Sequence, residues 1–215
     1  NGNVLRTTNT GPNGVYLFCD LVPGSYRVQV TIPNGWSITL SNRTTDCLDS
    51  DANPAGLTDC ITLLPGESNT CTDIGLYRPA AIGDFVWNDL NTNGVQDADE
   101  PGVSNVLVKL MDCNGTVLRT TNTDINGRYL FADLVPTNYN IMFNLPTGWT
   151  FTRQDIGNDA LDSDANPATG MTVCTILVSG QTNLTVDAGL VPLGCIGDFV
   201  WEDLNHDGIQ NDGNT

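Results

Sequence analysis

The chain repeats itself, and that constrains its fold more than any other feature. The stretch NGNVLRTTNTGPNGVYLFCDLVPGSYRVQVTIPNGW beginning at Asn1 recurs as NGTVLRTTNTDINGRYLFADLVPTNYNIMFNLPTGW beginning at Asn114, an offset of 113 residues. After one inserted residue near Thr169 the offset becomes 114, and it holds through IGDFVWNDLNTNGVQ at Ile82 and IGDFVWEDLNHDGIQ at Ile196. Such a chain must build the same unit more than once. Residues 82–191 read as a whole repeat, residues 1–79 as the last two-thirds of one, and residues 196–215 as the first strand and acidic loop of another. Between Thr215 and a following Asn1 the register lacks only the counterpart of Gly102 to Cys113, so copies are expected to join head to tail, residues 196–215 completing the N-terminal repeat of the next.

Within the whole repeat, short apolar or alternating runs are punctuated by Gly, Pro, Asn and Asp every eight to twelve residues. That pattern predicts an all-β antiparallel sandwich of about 113–114 residues per repeat. Strands are expected near 82–88, 103–112, 116–123, 128–133, 138–145, 149–153, 171–178 and 182–189. Tyr139, Ile141, Phe143 and Leu145 alternate with Asn140, Met142 and Asn144, which places one face in a core. Asn13-Gly14 and Asn126-Gly127 supply tight hairpin turns. The joint near Arg78 to Ala81 is short and holds Pro79, which favours a stiff rod.

Charge narrows the partners. The net charge is −17, and of 25 acidic residues all but Glu67, Glu100 and Glu202 are aspartate, against eight cations of which Lys109 is the one lysine. Nucleic acid and anionic membrane surfaces require basic clusters that are absent here. No apolar run approaches the roughly 18 residues that span a bilayer.

The aspartates are placed rather than scattered. Asp89, Asn91, Asn93, Gly94, Val95, Asp97 and Glu100 fit the twelve-residue calcium loop D-x-[DN]-x-[DN]-G-x5-E at every fixed position. Ca²⁺ takes six to eight hard oxygens, available here from the side chains of Asp89, Asn91, Asn93, Asp97 and Glu100 and the Val95 carbonyl, with Gly94 at the sharp turn. Asp203, Asn205, Asp207, Gly208, Ile209 and Asn211 repeat the first half, with Asn214 where Glu100 stood, so weaker binding is expected. Asp84 and Asp198, five residues before each loop, could add an oxygen or simply face solvent. Asp46, Asp49, Asp51 and Asn53 share their spacing with Asp159, Asp162, Asp164 and Asn166. Carboxylates so close repel unless a cation or donors intervene, so each set is a second candidate metal site, against a loop whose side chains cap their own backbone. Asp124 is assigned to a turn, and Asp20 with Asp133 and Asp73 with Asp187 to structural roles.

Seven cysteines without a C-x-x-C suggest disulfides in an oxidising compartment. Cys19 and Cys47 correspond to Ala132 and Ala160, both lost together, which proposes Cys19 with Cys47. Cys60 matches Cys174, and Cys113 matches the position just before Asn1, which proposes Cys113 with Cys174 and a partner for Cys60 outside residues 1–215. Cys71 is left with two partners in play, Cys195 of another copy or Cys60 across the Pro65-Gly66 hairpin.

The runs IGDFVWNDLNTNGVQDADEPGV, INGRYLFADLVP, PNGVYLFCDLVP, LDSDANP and VDAGL resemble the B domains of bacterial serine-aspartate-repeat surface proteins of the SdrD type, prealbumin-like (Ig-like) sandwiches related to collagen-adhesin B repeats. The resemblance spans nearly the whole chain. It implies calcium-rigidified stalk domains in tandem outside the cell, with loop ligands at Asp89, Asn91, Asn93, Asp97 and Glu100. Two features depart from it. The family is usually poor in cysteine, and relatives with Lys to Asn isopeptide bonds need a lysine in each domain, whereas Lys109 reads as solvated.

The expected function is therefore structural: a calcium-stabilised stalk or filament segment at the cell surface, associating with copies of itself or adjoining repeats. The alternative is an adhesin-type module that holds a protein or glycan through its loops, with Trp36, Trp149 or Tyr77 taking part, although both tryptophans follow a P-x-G-W turn and suit packing. An enzyme is disfavoured, because His206 is the one histidine and no nucleophile and base can be assembled around it. Asn42, Asn114 and Asn183 head glycosylation sequons, which matter only in a cell with that machinery.

Overall fold

The computed structural model describes residues 3–210. Thirteen strands follow in order: β1 (Gly24–Tyr26), β2 (Ser37–Ile38), β3 (Ile61–Leu63), β4 (Leu76–Tyr77), β5 (Ala80–Asn88), β6 (Leu107–Met111), β7 (Val117–Asn122), β8 (Arg128–Leu134), β9 (Asn138–Phe143), β10 (Trp149–Phe151), β11 (Thr175–Ile176), β12 (Thr182–Asn183) and β13 (Ala188–Pro192). The other named element is a three-residue 3-10 turn at Asp46–Leu48. No helix among the described residues is long and apolar enough to cross a membrane.

The all-β expectation holds, and the whole repeat forms the sandwich. One sheet runs β10-β13-β5-β12 with β8 also on β5, and the other runs β11-β9-β6-β7. Period-two alternation turns Tyr129, Phe131, Tyr139, Ile141 and Phe143 inward, where they meet Val86, Trp87, Val108, Leu110 and Leu190. Tyr129 stands edge-on to Phe143 with ring centroids 5.5 Å apart. Each such side chain taken from water contributes roughly 1.5–3 kcal/mol. One pair departs from an antiparallel plan: β13 runs parallel to β5, with Ala188 opposite Val86 and Leu190 opposite Asn88. β11 is also short: residues 171–174 meet β9 through the Met142–Met171 bridge and through Thr172, whose N–H donates to the Ile141 carbonyl and whose hydroxyl oxygen accepts the Ile141 N–H.

Gly127 makes the β8 hairpin possible. Its φ is +82°, and a Cβ there would run into the Val86 carbonyl and the Gly102 Cα. Asp124 serves this turn as expected, its Oδ1 accepting the Asn126 and Arg128 N–H groups, both at 2.8 Å.

By contacts the chain divides into two compact units. One gathers residues up to Ala81 with Ala132–Thr137 and Val178–Gln181; the other gathers Ile82–Phe131, Asn138–Leu177 and the residues from Thr182 onward. In the first unit β1 pairs β3 and β2 pairs β4, and Arg78 lies over the Trp36 ring, 4.7 Å from its centroid. Tyr16, Phe18, Tyr26, Val28 and Val30 are half-buried there, where their counterparts Tyr129, Phe131, Tyr139, Ile141 and Phe143 are buried.

Candidate metal loops and disulfides

The 89–100 loop leaves the end of β5 and winds around Asp89, whose side chain is fully buried. Asp89 Oδ2 accepts the Gly94 N–H at 2.9 Å and the Thr152 hydroxyl, and Oδ1 accepts the Asn93 N–H at 3.2 Å. Asn91 Oδ1 accepts the Asn93 N–H, and Asn93 Oδ1 accepts the Val95 N–H. Asp97 Oδ2 receives the Asn91 and Asn93 amides at 2.7 and 2.9 Å. Glu100 closes the turn, taking the Leu90 N–H on one oxygen and the Asp97 N–H on the other. Left-handed φ values at Thr92 (60°) and Gly94 (85°) give the required curl. Asp89, Asn91, Asn93, Asp97 and Glu100 are thus assembled into one all-oxygen set, the donor chemistry that suits a hard cation. Among the described residues, no three of His, Cys, Asp and Glu already stand as a metal cluster. The carboxylates instead hold backbone and amide N–H groups.

The second loop repeats the bonds to backbone N–H groups made in the first half of the first loop. Asp203 accepts the Asp207 and Gly208 N–H groups, Asn205 Oδ1 accepts the Asp207 N–H, and Asp207 Oδ1 accepts the Ile209 N–H at 2.8 Å. His206 carries the left-handed φ of Thr92, at 59°. Most of this loop is exposed, with Asp203 half-buried, whereas Asp89 is fully buried and backed by Thr152. Asn211 lies outside the described residues.

The other two acidic sets show the backbone-capping arrangement, the alternative to a metal site. Asn166 Oδ1 caps its own turn through the Ala168 and Thr169 N–H groups, and Asn53 does the same for Ala55 and Leu57. Asp164 Oδ2 accepts the Asp187 N–H at 2.7 Å, and Asp51 Oδ2 accepts the Asp73 N–H at 2.7 Å. Asp49 Oδ2 takes the Thr44 N–H, and Asp159 is exposed while Asp162 is buried. The Asp46 side chain lies outside the described residues. For the asparagines these backbone donors lie four residues or fewer away, the local capping pattern.

Asp84 also turns elsewhere. It pairs with Arg128 at 3.0 Å rather than with the 89–100 loop, while Asp198 is exposed. Burial pushes the Asp84 carboxyl up, opposed by Arg128. Nearby Asp187 is fully buried, with Oδ1 accepting the Phe85 N–H at 2.9 Å and Oδ2 without a partner. Burial, then the Asp84 charge, raises Asp187 to about 9, and burial raises Asp164 to about 7. The same surroundings raise the Tyr129 phenol, whose hydroxyl donates to the Val186 carbonyl at 2.7 Å. Only the faithful recurrence of Asp73 with Asp187 in the sequence signals this arrangement.

Cys113 is bonded to Cys174, Cα to Cα 5.8 Å, the pair that repeat comparison proposes. Cys47 is bonded to Cys71, Cα to Cα 4.2 Å, and this overturns Cys19 with Cys47 and both partners considered for Cys71. The reason is the Asp51–Asp73 lock, which draws the 46–51 turn against residues 71–73. Cys19, Cys60 and Cys195 are free and exposed. Lys109 is half-buried in β6 between Thr120 and Met142.

A family model described as SdrD B-like domain matches residues 1–76 and 80–190. The chain belongs to the SdrD B-like domain family. It is 38% identical over 216 residues to serine-aspartate repeat-containing protein F of Staphylococcus epidermidis, covering 99% of this chain and 12% of that protein. It is 40% identical over 215 residues to serine-aspartate repeat-containing protein D of Staphylococcus aureus (strain Newman), covering 98% of this chain and 16% of that protein. The chain therefore spans about an eighth to a sixth of the length of these relatives. Among solved structures, the minor pilin GBS52 of Streptococcus agalactiae aligns at a TM-score of 0.36 and 12% identity, over 83% of this chain and 87% of that one. As an SdrD B-like module the chain is a structural repeat segment of a cell-surface protein, not an enzyme.

Proposed function

We propose that this segment is a calcium-stiffened stalk piece whose copies join head to tail. The observation that carries the calcium reading is the 89–100 loop, where Asp89, Asn91, Asn93, Asp97 and Glu100 converge in one turn and the turn recurs at 203–209. Ca²⁺ would be held by those oxygens and the Val95 carbonyl, replacing N–H partners of the carboxylates and tying β5 to Gln96, whose N–H meets the Leu161 carbonyl. The second loop, lacking a buried wall, would bind more weakly.

Head-to-tail joining is supported by one sequence found twice. IGDFVW is part of β5 in the whole repeat, where Ile82 and Val86 are 1% and 0% exposed, and it recurs at 196–201. Strand addition would bury the second copy and satisfy its backbone groups. Calcium should raise the melting temperature and leave a stiffer particle in small-angle scattering. Identical melting and scattering with calcium and with chelator would refute the calcium reading, and a concentration-independent monomer mass by light scattering would refute the joining.

A further inference from the structure

Beside the end of β5 the whole repeat carries an open cleft of about 400 Å³, within the size range of small-ligand sites. It lies among Asn88, the 101–105 segment, and Pro146 with Trp149 of the turn that leads into β10. All of these residues belong to one compact unit, so the cleft needs no second copy.

The segments around the cleft are pinned by backbone bonds. The Asn88 N–H donates to the Pro101 carbonyl at 2.9 Å, and the Val103 N–H donates to the Val86 carbonyl at 2.7 Å. The Asn105 N–H donates to the Thr123 carbonyl at 3.0 Å, while the Thr123 hydroxyl donates to the Val103 carbonyl at 2.7 Å. On the other side the Trp149 N–H meets the Pro146 carbonyl at 3.3 Å and the Leu193 N–H meets the Gly148 carbonyl at 2.8 Å. A rim fixed in this way loses little conformational freedom when a ligand arrives.

None of the lining residues is titratable, in a chain of net charge −17. A cation finds no carboxylate on these walls, and an anion finds no guanidinium or ammonium group. The polar groups are neutral and uncommitted instead. Asn88 is half-buried, and its Oδ1 is shielded from water with no hydrogen-bond partner. A half-turn of that amide exchanges its oxygen for its NH₂, so it can offer the cleft an acceptor or a donor. The Asn105 Oδ1 accepts the Asn122 amide at 2.8 Å, which leaves the Asn105 NH₂ as a donor, and the exposed Ser104 hydroxyl can act either way. Hydroxyl groups, which donate and accept at one atom, suit such a set.

Trp149 supplies the apolar wall. It is half-buried, and the β10–β13 register places it opposite Pro192. In the first unit the equivalent ring, Trp36, lies under Arg78, the counterpart of Pro192, at 4.7 Å from its centroid. At Trp149 a neutral residue thus replaces that cation. An indole face attracts weakly positive C–H groups, and a pyranose ring has a face of C–H groups bordered by hydroxyls. Asn88 is also particular to this repeat: Glu202 stands in the second IGDFVW copy, so the strand motif does not itself call for an amide there.

We propose that this cleft binds a neutral pyranose unit of a glycan, its C–H face stacked on Trp149 and its hydroxyls bonded by Asn88, Ser104 and Asn105. The site adds a binding function to the stalk and rests neither on calcium nor on joining between copies.

The full chain, in calcium-containing buffer, is tested on an array of immobilised oligosaccharides, neutral hexose and N-acetylhexosamine chains beside sialylated and sulfated ones. Binding is expected on neutral chains, and an NMR titration with the best-bound neutral oligosaccharide gives its affinity. Asn88→Ala, Trp149→Phe, and the exposed pair Ser104→Ala with Asn105→Ala should each weaken that affinity by about tenfold, the worth of a hydrogen bond or a stacking contact. Trp36→Phe should leave it as it is. Melting curves establish that each variant is folded. No binding to any neutral chain, a preference for the anionic chains, or an affinity unmoved by Asn88→Ala and by the Ser104, Asn105 pair in folded protein overturns the proposal. So does binding lost in Glu100→Gln but kept in those variants, which would seat the sugar on the 89–100 loop. Capture of a polyproline peptide alone, the other occupant that an indole beside Pro101 and Pro146 could take, overturns it as well.

Discussion

The Asp187 N–H donates to Asp164 Oδ2 at 2.7 Å while the Asp164 N–H donates to the Asp187 carbonyl at 2.9 Å. Asp73 and Asp51 make the same two bonds at 2.7 and 2.8 Å. In the whole repeat this reciprocal clasp joins the acidic loop to the strand entering β13, and Asp187 in turn takes the Phe85 N–H of β5. Two carboxylates are thereby kept away from water by the backbone they organise.

That clasp makes stability depend on pH with an unusual sign. Asp187 at about 9 and Asp164 at about 7 lie above their ordinary 3.8, so the folded chain binds more protons than the unfolded one between those values. Stability from this source is full below about pH 4 and is lost as pH rises through 7 and then 9. Asp187→Asn, which keeps an oxygen for the Phe85 N–H, should flatten the upper part of the profile and be the more stable protein at pH 9. Denaturant midpoints measured from pH 5 to 9 without calcium check this; parallel profiles for the two proteins would contradict it.

Glu100→Gln should weaken calcium binding by about tenfold or more, because the loop loses a charge and a bidentate oxygen pair. Stability in chelator should fall by about 1 kcal/mol, since a Gln oxygen can still accept the Leu90 N–H that Glu100 holds at 2.9 Å while the Asp97 N–H loses its acceptor. Isothermal titration with Ca²⁺, beside melting curves in chelator, gives both quantities.

Gly83→Ala should cost about 1–3 kcal/mol, as expected where an added methyl meets backbone rather than a flexible side chain. The new Cβ would press on the Tyr129 carbonyl and lie 2.9 Å from the Leu130 Cα. Equilibrium urea unfolding is the measurement, and a change within a few tenths would show that β5 and β8 can part freely.

Removing the Cys113–Cys174 bridge, by Cys113→Ser with Cys174→Ser, should cost about 4 kcal/mol. The loss of Cys47–Cys71 should cost about 3, because the bridges close loops of 61 and 24 residues and the entropy of the unfolded chain grows with loop length. Calorimetry of each double variant gives the order, and reversal would mean that strain or residual structure outweighs the chain-entropy effect.

Much of this was legible in residue order. The offset between Asn1 and Asn114 specified a repeated unit, the alternation of Tyr139, Ile141 and Phe143 specified a strand with one inward face, and the spacing from Asp89 to Glu100 specified a curled oxygen-rich loop. Each is a local property, written in spacing of two residues, or of twelve, and decided by backbone geometry. The cysteines show where this stops. Joint loss of Cys19 and Cys47 in the second repeat pointed to a pair, yet Cys47 meets Cys71, because bridging follows distance in space rather than shared substitution.

By itself, the sequence determined the period, the rough places of most strands in the whole repeat, the turn at Asn126-Gly127 and the curl of the 89–100 loop, since those depend on contacts between near neighbours along the chain. Only the tertiary structure decided that β13 runs parallel to β5, that Asp84 faces Arg128 and Asp187 instead of the loop, and that Asp164 serves a backbone clasp. Those outcomes depend on which distant segments exclude water together: once Asp187 is buried, its carboxyl holds its proton and takes the nearest N–H of another strand, and no spacing along the chain records which strand that is.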